Sequence, residues 1–253
     1  MLAPSQQDIV PSLANAMDLP INIFGVIIMG GVIKMKEQLN VIARIHNDFP
    51  TKFGIPRQSR EQSGIETRIV MEHAFRDRNM FRGIEGFSHL WLIWGFSEAE
   101  GWSATVRPPR LGGNMRMGVF ATRSPFRPNH LGLSSVRLLR VESTADEGVV
   151  LVVTGADLLD GTPIYDIKPY LSFSDSHPDA TNGFAEQTKD YRLPVKWQTD
   201  PSEHLTPQQI RDIEEILSQD PRPAYQTDDR LYKMDYDGHT IAFRVIDDCV
   251  CVE

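Results

Sequence analysis

MRMGVFATRSPFRPNHLGLSSVRLLRV, Met115 to Val141, reads as two short apolar stretches, Met115–Thr122 and Ser134–Val141, flanking a turn stiffened by Pro125 and Pro128. Stretches rich in Val, Leu and aromatic residues, punctuated by Pro, Asn and Gly, predict β-strands. Asn129 and Gly132 bracket the turn. The same texture extends outward, through Leu39–Ile45, Ile65–Glu72 and His89–Phe96 on one side and Val149–Thr154 and Ile164–Ile167 on the other. Asp160-Gly161 is a second turn signal, and Gly112-Gly113 marks a flexible or close-approach point. No helix-length apolar period alternates with these strands, so a doubly wound sheet is not expected. The expected fold is mainly β, a single-sheet β-barrel with a small C-terminal α+β domain.

That second domain announces itself after Pro194. Thr206-Pro207-Gln208-Gln209 supplies an N-cap threonine, a proline for the first helical position and a capping-box glutamine. Ile210, Ile213, Ile216 and Leu217 then form one apolar stripe, ended by Pro221. Arg230–Tyr236 and Thr240–Ile246 read as strands joined by a hairpin turn at Asp237-Gly238. The expected division is residues 1–34 as an extension or a mis-called start before Met35, 35–193 as the barrel and 194–253 as the α+β domain.

Composition is ordinary for a soluble protein, 41% apolar and 24% charged. The apolar run Leu19–Val32 falls short of the roughly 20 residues that span a bilayer, and no basic residue precedes it as in a signal peptide. A cytoplasmic protein without membrane attachment is expected. The two cysteines, Cys249 and Cys251, exclude a disulfide scaffold and read as reduced side chains on one face of a strand.

Dinucleotide and P-loop glycine motifs are missing, as is a GxSxG nucleophile elbow, and the histidines are too scattered for a zinc triad. No metal is expected. The informative signal is charge. The chain carries −8 overall, yet Gly101 to Arg140 holds seven arginines and no Asp, Glu or Lys. That segment is +7, leaving −8 − 7 = −15 elsewhere. Such asymmetry is the footprint of an anionic ligand or nucleic acid. The plainer alternative is that the fold pairs these arginines with distant carboxylates.

Several polar stretches sit at predicted strand ends. Gly54-Ile55-Pro56-Arg57-Gln58 is a rigid turn with a guanidinium and an amide. Arg107-Pro108-Pro109-Arg110 and Thr122–Asn129 hold arginines on proline-stiffened backbone, which lowers the entropy lost in gripping a bidentate partner. Asp157–Pro163 offers acceptors for amine or hydroxyl groups, and Lys168-Pro169-Tyr170 adds a charge beside an aromatic platform. Together they suit a ligand with an anionic end, a cationic or hydroxyl-bearing part and a flat ring. Structural roles compete: His89 as a satisfied histidine, Trp91 and Trp94 as packing, Asp157 and Asp160 as turn caps. Arg123, between a strand and a rigid turn with no local acid, is the strongest single candidate.

VRPPRLGGNMRMGVFATRSPFRPNHLGLSSVRL, FRGIEGFSHLWLIWGF and DLLDGTPIYDIKPY closely resemble the TsaA-like family, whose bacterial members methylate N6 of threonylcarbamoyladenosine at tRNA position 37. The resemblance covers about Leu39 to Asp190 and continues through DPRPAYQ, Asp220–Gln226. It implies a single-sheet barrel acting as a homodimer, with S-adenosyl-L-methionine near the subunit interface and the tRNA anticodon loop as substrate. Carried over by motif, the implied cofactor contacts are Pro56, Arg57, Gln58, Phe96, Ser97, Arg123, Leu133, Asp160, Gly161 and Thr162. Arg110, Arg127 and Lys168 are the expected substrate contacts, and Tyr165 and Asp166 the expected groups for the departing N6 proton. Many relatives are expected to carry proline after FRPN, where this chain has His130; loss of that ring predicts a looser turn and adds a titratable group. The competing function is a non-catalytic barrel that binds a nucleotide or RNA, and a third is an oligomerisation domain.

Overall fold

Alternation decides which strands close the core. In the stretch His89–Gly95, Leu90, Leu92 and Trp94 are buried while His89, Trp91 and Ile93 are only partly covered, the period-two signature of a strand with one face inward. A computed structural model of the 253-residue chain describes residues 26–29, 32–35, 38–49, 51, 55, 65–108, 115–189, 191–222 and 228–253. It divides into two units, Met1–Leu39 and Asn40–Glu253. In the first, β1 (Val26–Met29) and β2 (Val32–Met35) pair as an antiparallel hairpin.

The second unit contains β3 (Ala43–His46), β4 (Glu66–Met71), β5 (His89–Gly95), β6 (Thr105–Val106), β7 (Met117–Gly118), β8 (Leu131–Thr144), β9 (Gly148–Thr154) and β10 (Pro163–Pro169). Six of these form one sheet that closes on itself in the order β10-β3-β4-β9-β8-β5, every pairing antiparallel. Its interior is apolar: Ala43, Ile45, Ile69, Met71, Leu90, Leu92, Val136, Leu151, Val153 and Ile164 are all nearly or wholly buried. Two irregularities bend the ring. One lies in β8 between Leu138 and Arg140, and the other in β10 between Ile164 and Asp166, leaving Tyr165 as the extra residue.

After β10 comes the short α1 (Ser172–Asp175), then a second sheet beside α2 (Pro207–Ser218). Its strands β11 (Val195–Trp197), β12 (Tyr232–Tyr236), β13 (His239–Ile246) and β14 (Cys249–Val252) are ordered β11-β14-β13-β12, with β11 and β14 parallel. The predicted capping box is present: Gln209 N–H donates to Thr206 Oγ1 at 3.2 Å, and Thr206 N–H donates to Gln209 Oε1 at 2.8 Å. Ile213, Ile216 and Leu217 of α2 pack into one core with Met234, Phe243 and Val250 of the sheet. Asp237 and Gly238 both take positive φ, 47° and 74°, as a two-residue hairpin turn demands. Among the described residues no helix is long and apolar enough to cross a membrane.

One expected strand is corrected. Met115–Thr122 gives only β7, paired with β6, followed by a 3-10 turn at Val119–Ala121 closed by Thr122 N–H to the Val119 carbonyl. Val119 reaches the interior but Phe120 is 80% exposed, and the pairing with β6 stops at Gly118, so the run does not continue as an extended strand. The following strand is longer than expected, Leu131–Thr144 rather than Ser134–Val141. β14 agrees with the reading of Cys249 and Cys251 on one face of a strand, whereas β11, three residues long, is too short to show a period by itself.

Candidate functional site

Where β5 leaves the ring, Trp94, Gly95, Phe96, Ser97, Glu98 and Ala99 form one wall of a cleft of about 220 Å³. Pro125 and Phe126 of the arginine-rich turn face them, and Asp157, Leu159 and Thr162 supply the third side with Ile55. The lining is mostly apolar and aromatic with a few polar groups, the usual make-up of a small-molecule site.

Close packing builds this wall. Gly132 stands opposite Trp94 in the β5–β8 register, and a Cβ there would lie 2.3 Å from the indole. The ring therefore lies flat over the glycine. Its N–H donates to Ser134 Oγ at 2.9 Å, and Ser134 Oγ donates to Asp157 Oδ1 at 2.5 Å. Both Trp94 and Ser134 are buried, at 7% and 2% exposure, so the chain fixes Asp157 at the cleft through bonds shielded from water. Phe96 meets Trp94 edge-on, centroids 4.4 Å apart. Trp94 thus both packs and lines the cleft.

Tyr165 sits beside the same wall. A Cβ on Gly95 would come within 2.6 Å of the Tyr165 hydroxyl, so the glycine is what lets the phenol lie against β5. The β10 irregularity sends the next residue elsewhere: Asp166 accepts from Ile167 N–H at 3.0 Å and pairs with Lys168 at 3.0 Å, both side chains about half exposed. The two expected proton-handling residues are therefore separated, Tyr165 packed against Gly95, a residue of the cleft wall, and Asp166 tied to Lys168.

The other expected contacts divide similarly. Phe96, Ser97 and Thr162 line the cleft. Asp160 instead turns toward the end of β3, where Oδ1 accepts from Asn47 N–H at 3.1 Å and lies 3.6 Å from His46 Nδ1. Gly161 takes φ of 76°, and its carbonyl accepts from Arg44 at 3.1 Å. Leu133 is 55% exposed on β8. Arg123 is exposed on the turn that carries Pro125 and Phe126 into the wall. Arg127 donates to the Thr122 carbonyl at 3.1 Å, bracing that turn. Pro56, Arg57, Gln58 and Arg110 lie outside the described residues, as does part of DPRPAYQ.

His130 does not loosen the turn. Its φ of 49° closes the bend, its N–H donates to the Arg127 carbonyl, and Nδ1 lies 2.9 Å from the Ala99 carbonyl across the cleft wall. Its own carbonyl accepts from Phe96 N–H at 2.9 Å. Positive φ and a donating N–H are both closed to proline, so this turn is braced instead by the ring's reach to a backbone carbonyl.

The arginine excess is partly compensated. Arg140 makes two 2.8 Å bonds to Glu66 and another to Glu142, and those bonds hold the Glu66 carboxyl below the usual carboxylate range. Arg116 donates to the Thr105 hydroxyl and carbonyl, and Arg127 to a carbonyl; such partners anchor a guanidinium without cancelling its charge. Sequence reading had missed Glu98 and Ala99, which belong to no motif and reach the cleft only because β5 ends there.

Comparison with known proteins fits this geometry. Residues 44–176 match the tRNA-methyltransferase O N-terminal domain, and residues 190–253 match the TrmO C-terminal domain. The chain belongs to the TrmO family. An Escherichia coli K12 relative named tRNA (adenine(37)-N6)-methyltransferase is 42% identical over 197 residues, covering 75% of this chain and 83% of that protein. A Pseudomonas aeruginosa relative, named as a candidate S-adenosylmethionine-dependent methyltransferase, is 38% identical over 221 residues, covering 81% and 93%. The crystal structure of TrmO from Pseudomonas aeruginosa superposes with a TM-score of 0.68 at 31% identity, covering 87% of this chain and 98% of that one. The match extends through the second sheet, so most of the Asn40–Glu253 unit falls within the two matched domains.

Proposed function

We propose that this protein is an S-adenosyl-L-methionine-dependent methyltransferase acting on N6 of adenosine 37 in tRNA, with threonylcarbamoyladenosine as the modified base it recognises. The observation that carries the reading is the cleft at the end of β5, built by the motifs that mark the family. Its residues suit the cofactor: Phe96 and Phe126 offer flat faces to an adenine and π-density to a sulfonium, and Glu98 and Asp157 offer acceptors to hydroxyl and ammonium groups. Arg123, on the adjoining turn, is the proposed partner of the carboxylate, with Ser97, Leu133, Thr162 and Pro56-Arg57-Gln58 completing the contacts. Asp160 and Gly161 act by shaping the turn that carries Thr162.

When bound, the cofactor supplies an electrophilic methyl group. The residues of this chain then have mainly to align the acceptor and exclude water. Tyr165, beside Gly95 of the wall, is the first candidate to hold or receive the N6 proton, with Asp166 as the second and Lys168 as a proposed contact for a substrate anion. Arg110 and Arg127 are the proposed contacts for anticodon-loop phosphates, which single-stranded RNA presents with its bases unstacked. The closed six-stranded ring is read as a single-sheet barrel, residues 35–193, followed by the α+β domain at 194–253. Trp102, Phe120, Phe126 and Leu133, all about half exposed or more, are the apolar surface that a homodimer interface beside the cleft would cover. A cytoplasmic location follows from the substrate.

Methyl transfer from labelled S-adenosylmethionine to ANN-decoding tRNA, with and without the threonylcarbamoyl group, tests the reading. Label at position 37 of the modified tRNA alone is expected. Absence of label on both, with cofactor bound, would leave a non-catalytic nucleotide- or RNA-binding module.

A further inference from the structure

The cleft and the C-terminal core are separate clusters of side chains, yet one stretch of backbone serves both. From the end of β3 onward, residues 45–49 are zipped to the turn 158–162 that forms the third side of the cleft. Ile45 N–H donates to the Thr162 carbonyl at 3.1 Å and Gly161 N–H to the Ile45 carbonyl at 2.9 Å. Asn47 Nδ2 donates to the Leu158 carbonyl at 2.9 Å, and Asp160 N–H to the Phe49 carbonyl at 3.1 Å. Leu159 and Thr162 of that turn line the cleft.

The side chain at the end of this zipper points into the other core. Phe49 is 1% exposed and belongs to the cluster of Met234, Tyr236, Ile241 and Phe243. Its ring lies 5.8 Å from that of Tyr236, whose hydroxyl donates to Asp212 of α2 at 3.0 Å. Ile65, at the start of β4, is buried in the same cluster. Ile55 does both things at once, packing against the C-terminal core and lining the cleft.

We propose that Phe49 and Ile55 are positioning residues through which the C-terminal helix-and-sheet core sets the shape, and hence the cofactor affinity, of the cleft. The inference rests on reading the cleft as the cofactor site, but the coupling is a property of the fold and is measurable without any ligand. Removing the Phe49 ring leaves the zipper's backbone bonds with nothing to brace them, because a cavity replaces the packing beneath residue 49. The turn 158–162 then loses its fixed place, while the Trp94–Ser134–Asp157 chain, anchored on β5 and β8, remains.

The test uses the full chain, with Phe49→Ala, Phe49→Leu, Ile55→Ala and, as a control, Val250→Ala. Val250 lies in the same core on β14, which β13 separates from the β12 strand that carries Tyr236. Two quantities are read: hydrogen exchange of residues 157–162 in the free protein, and S-adenosylmethionine affinity by calorimetry. Phe49→Ala is expected to speed exchange at 157–162 and weaken the cofactor on the order of tenfold, with Phe49→Leu restoring most of both. Ile55→Ala should weaken the cofactor in the same direction. Val250→Ala should lower the melting temperature and leave both readouts at wild-type values. Unchanged exchange at 157–162 in Phe49→Ala, or equal effects from Val250→Ala, would overturn the coupling. Should Phe49→Ala not fold, Ile55→Ala carries the same comparison through exchange at 157–162 in the free protein, and wild-type exchange there would overturn the coupling. Wild-type protein that binds no cofactor would instead sink the functional reading, with the exchange data still deciding the coupling.

Discussion

At the scale of single residues, the cleft depends on an atom that is missing. A methyl group at Gly132 would sit 2.3 Å from the Trp94 indole, so the ring would have to shift from the position in which it bonds Ser134. Gly132→Ala is expected to destabilise the fold by about 1–3 kcal/mol and to weaken cofactor binding, since Asp157 loses the donor chain that holds it. Calorimetric titration with S-adenosylmethionine, beside a thermal melt, checks this; unchanged affinity would show that the Trp94 seat does not govern the site. A second residue gives a pH signature. Asp212 is buried on α2, and that burial raises its pKa, outweighing the bonds from Tyr236 and Gln208. A carboxyl raised in the folded state contributes stability that is full at acid pH and lost as pH climbs through the raised value. Wild type should therefore lose stability relative to Asp212→Asn as pH rises from about 4, the ordinary carboxylate range. Melting temperatures of both proteins across pH would show parallel curves if Asp212 were not the group responsible.

At the scale of elements, the turn 123–130 is held by the residue that had been expected to loosen it. His130 ties the turn to the cleft wall through Ala99, and its carbonyl fixes Phe96. His130→Ala keeps the backbone bonds and deletes the ring contact, so a modest loss of about 1 kcal/mol is expected, with a several-fold rise in the cofactor KM and little change in kcat. A purely structural ring would lower the melting temperature without moving KM. The same region shows what the sequence could and could not disclose. The capping box of α2, the strand at His89–Gly95 and the hairpin at Asp237-Gly238 were legible because each is local chemistry. Met115–Thr122 misled because Met115 and Phe120 look outward while Val119 is buried, and exposure is decided by neighbours distant in the chain. Glu98 and Ala99 carry no motif. Nor could any window reveal that Asn47 bonds Leu158 and Phe49 bonds Asp160, since those partners are more than a hundred residues apart. The site motifs were legible through family resemblance, whereas composition alone reached only an anion-binding β protein.

At the scale of the whole molecule, charge is separated rather than merely summed. The chain is acidic overall, so a polyanion approaching at random is repelled, and positive charge is most concentrated, with no acid interspersed, in the stretch between Gly101 and Arg140. Within it Arg140 is committed to Glu66 and Glu142, while Arg116 and Arg127 bond neutral acceptors and keep their charge for a partner. tRNA binding through this stretch must release counterions, whereas a small zwitterionic cofactor held in a cleft releases few. The KM for tRNA should therefore rise steeply between 50 and 200 mM salt, on the order of tenfold or more for a few phosphate contacts, with the cofactor KM nearly flat. Arg127→Ala and Arg116→Ala should each reduce the slope of log KM against log salt by about one contact's worth, and Arg140→Ala should leave it in place. Steady-state methyl transfer at varied salt measures all of these. If Arg140→Ala flattened the slope as much as the other two, the ion pair with Glu66 would be open in the complex, and the whole stretch would act as one surface.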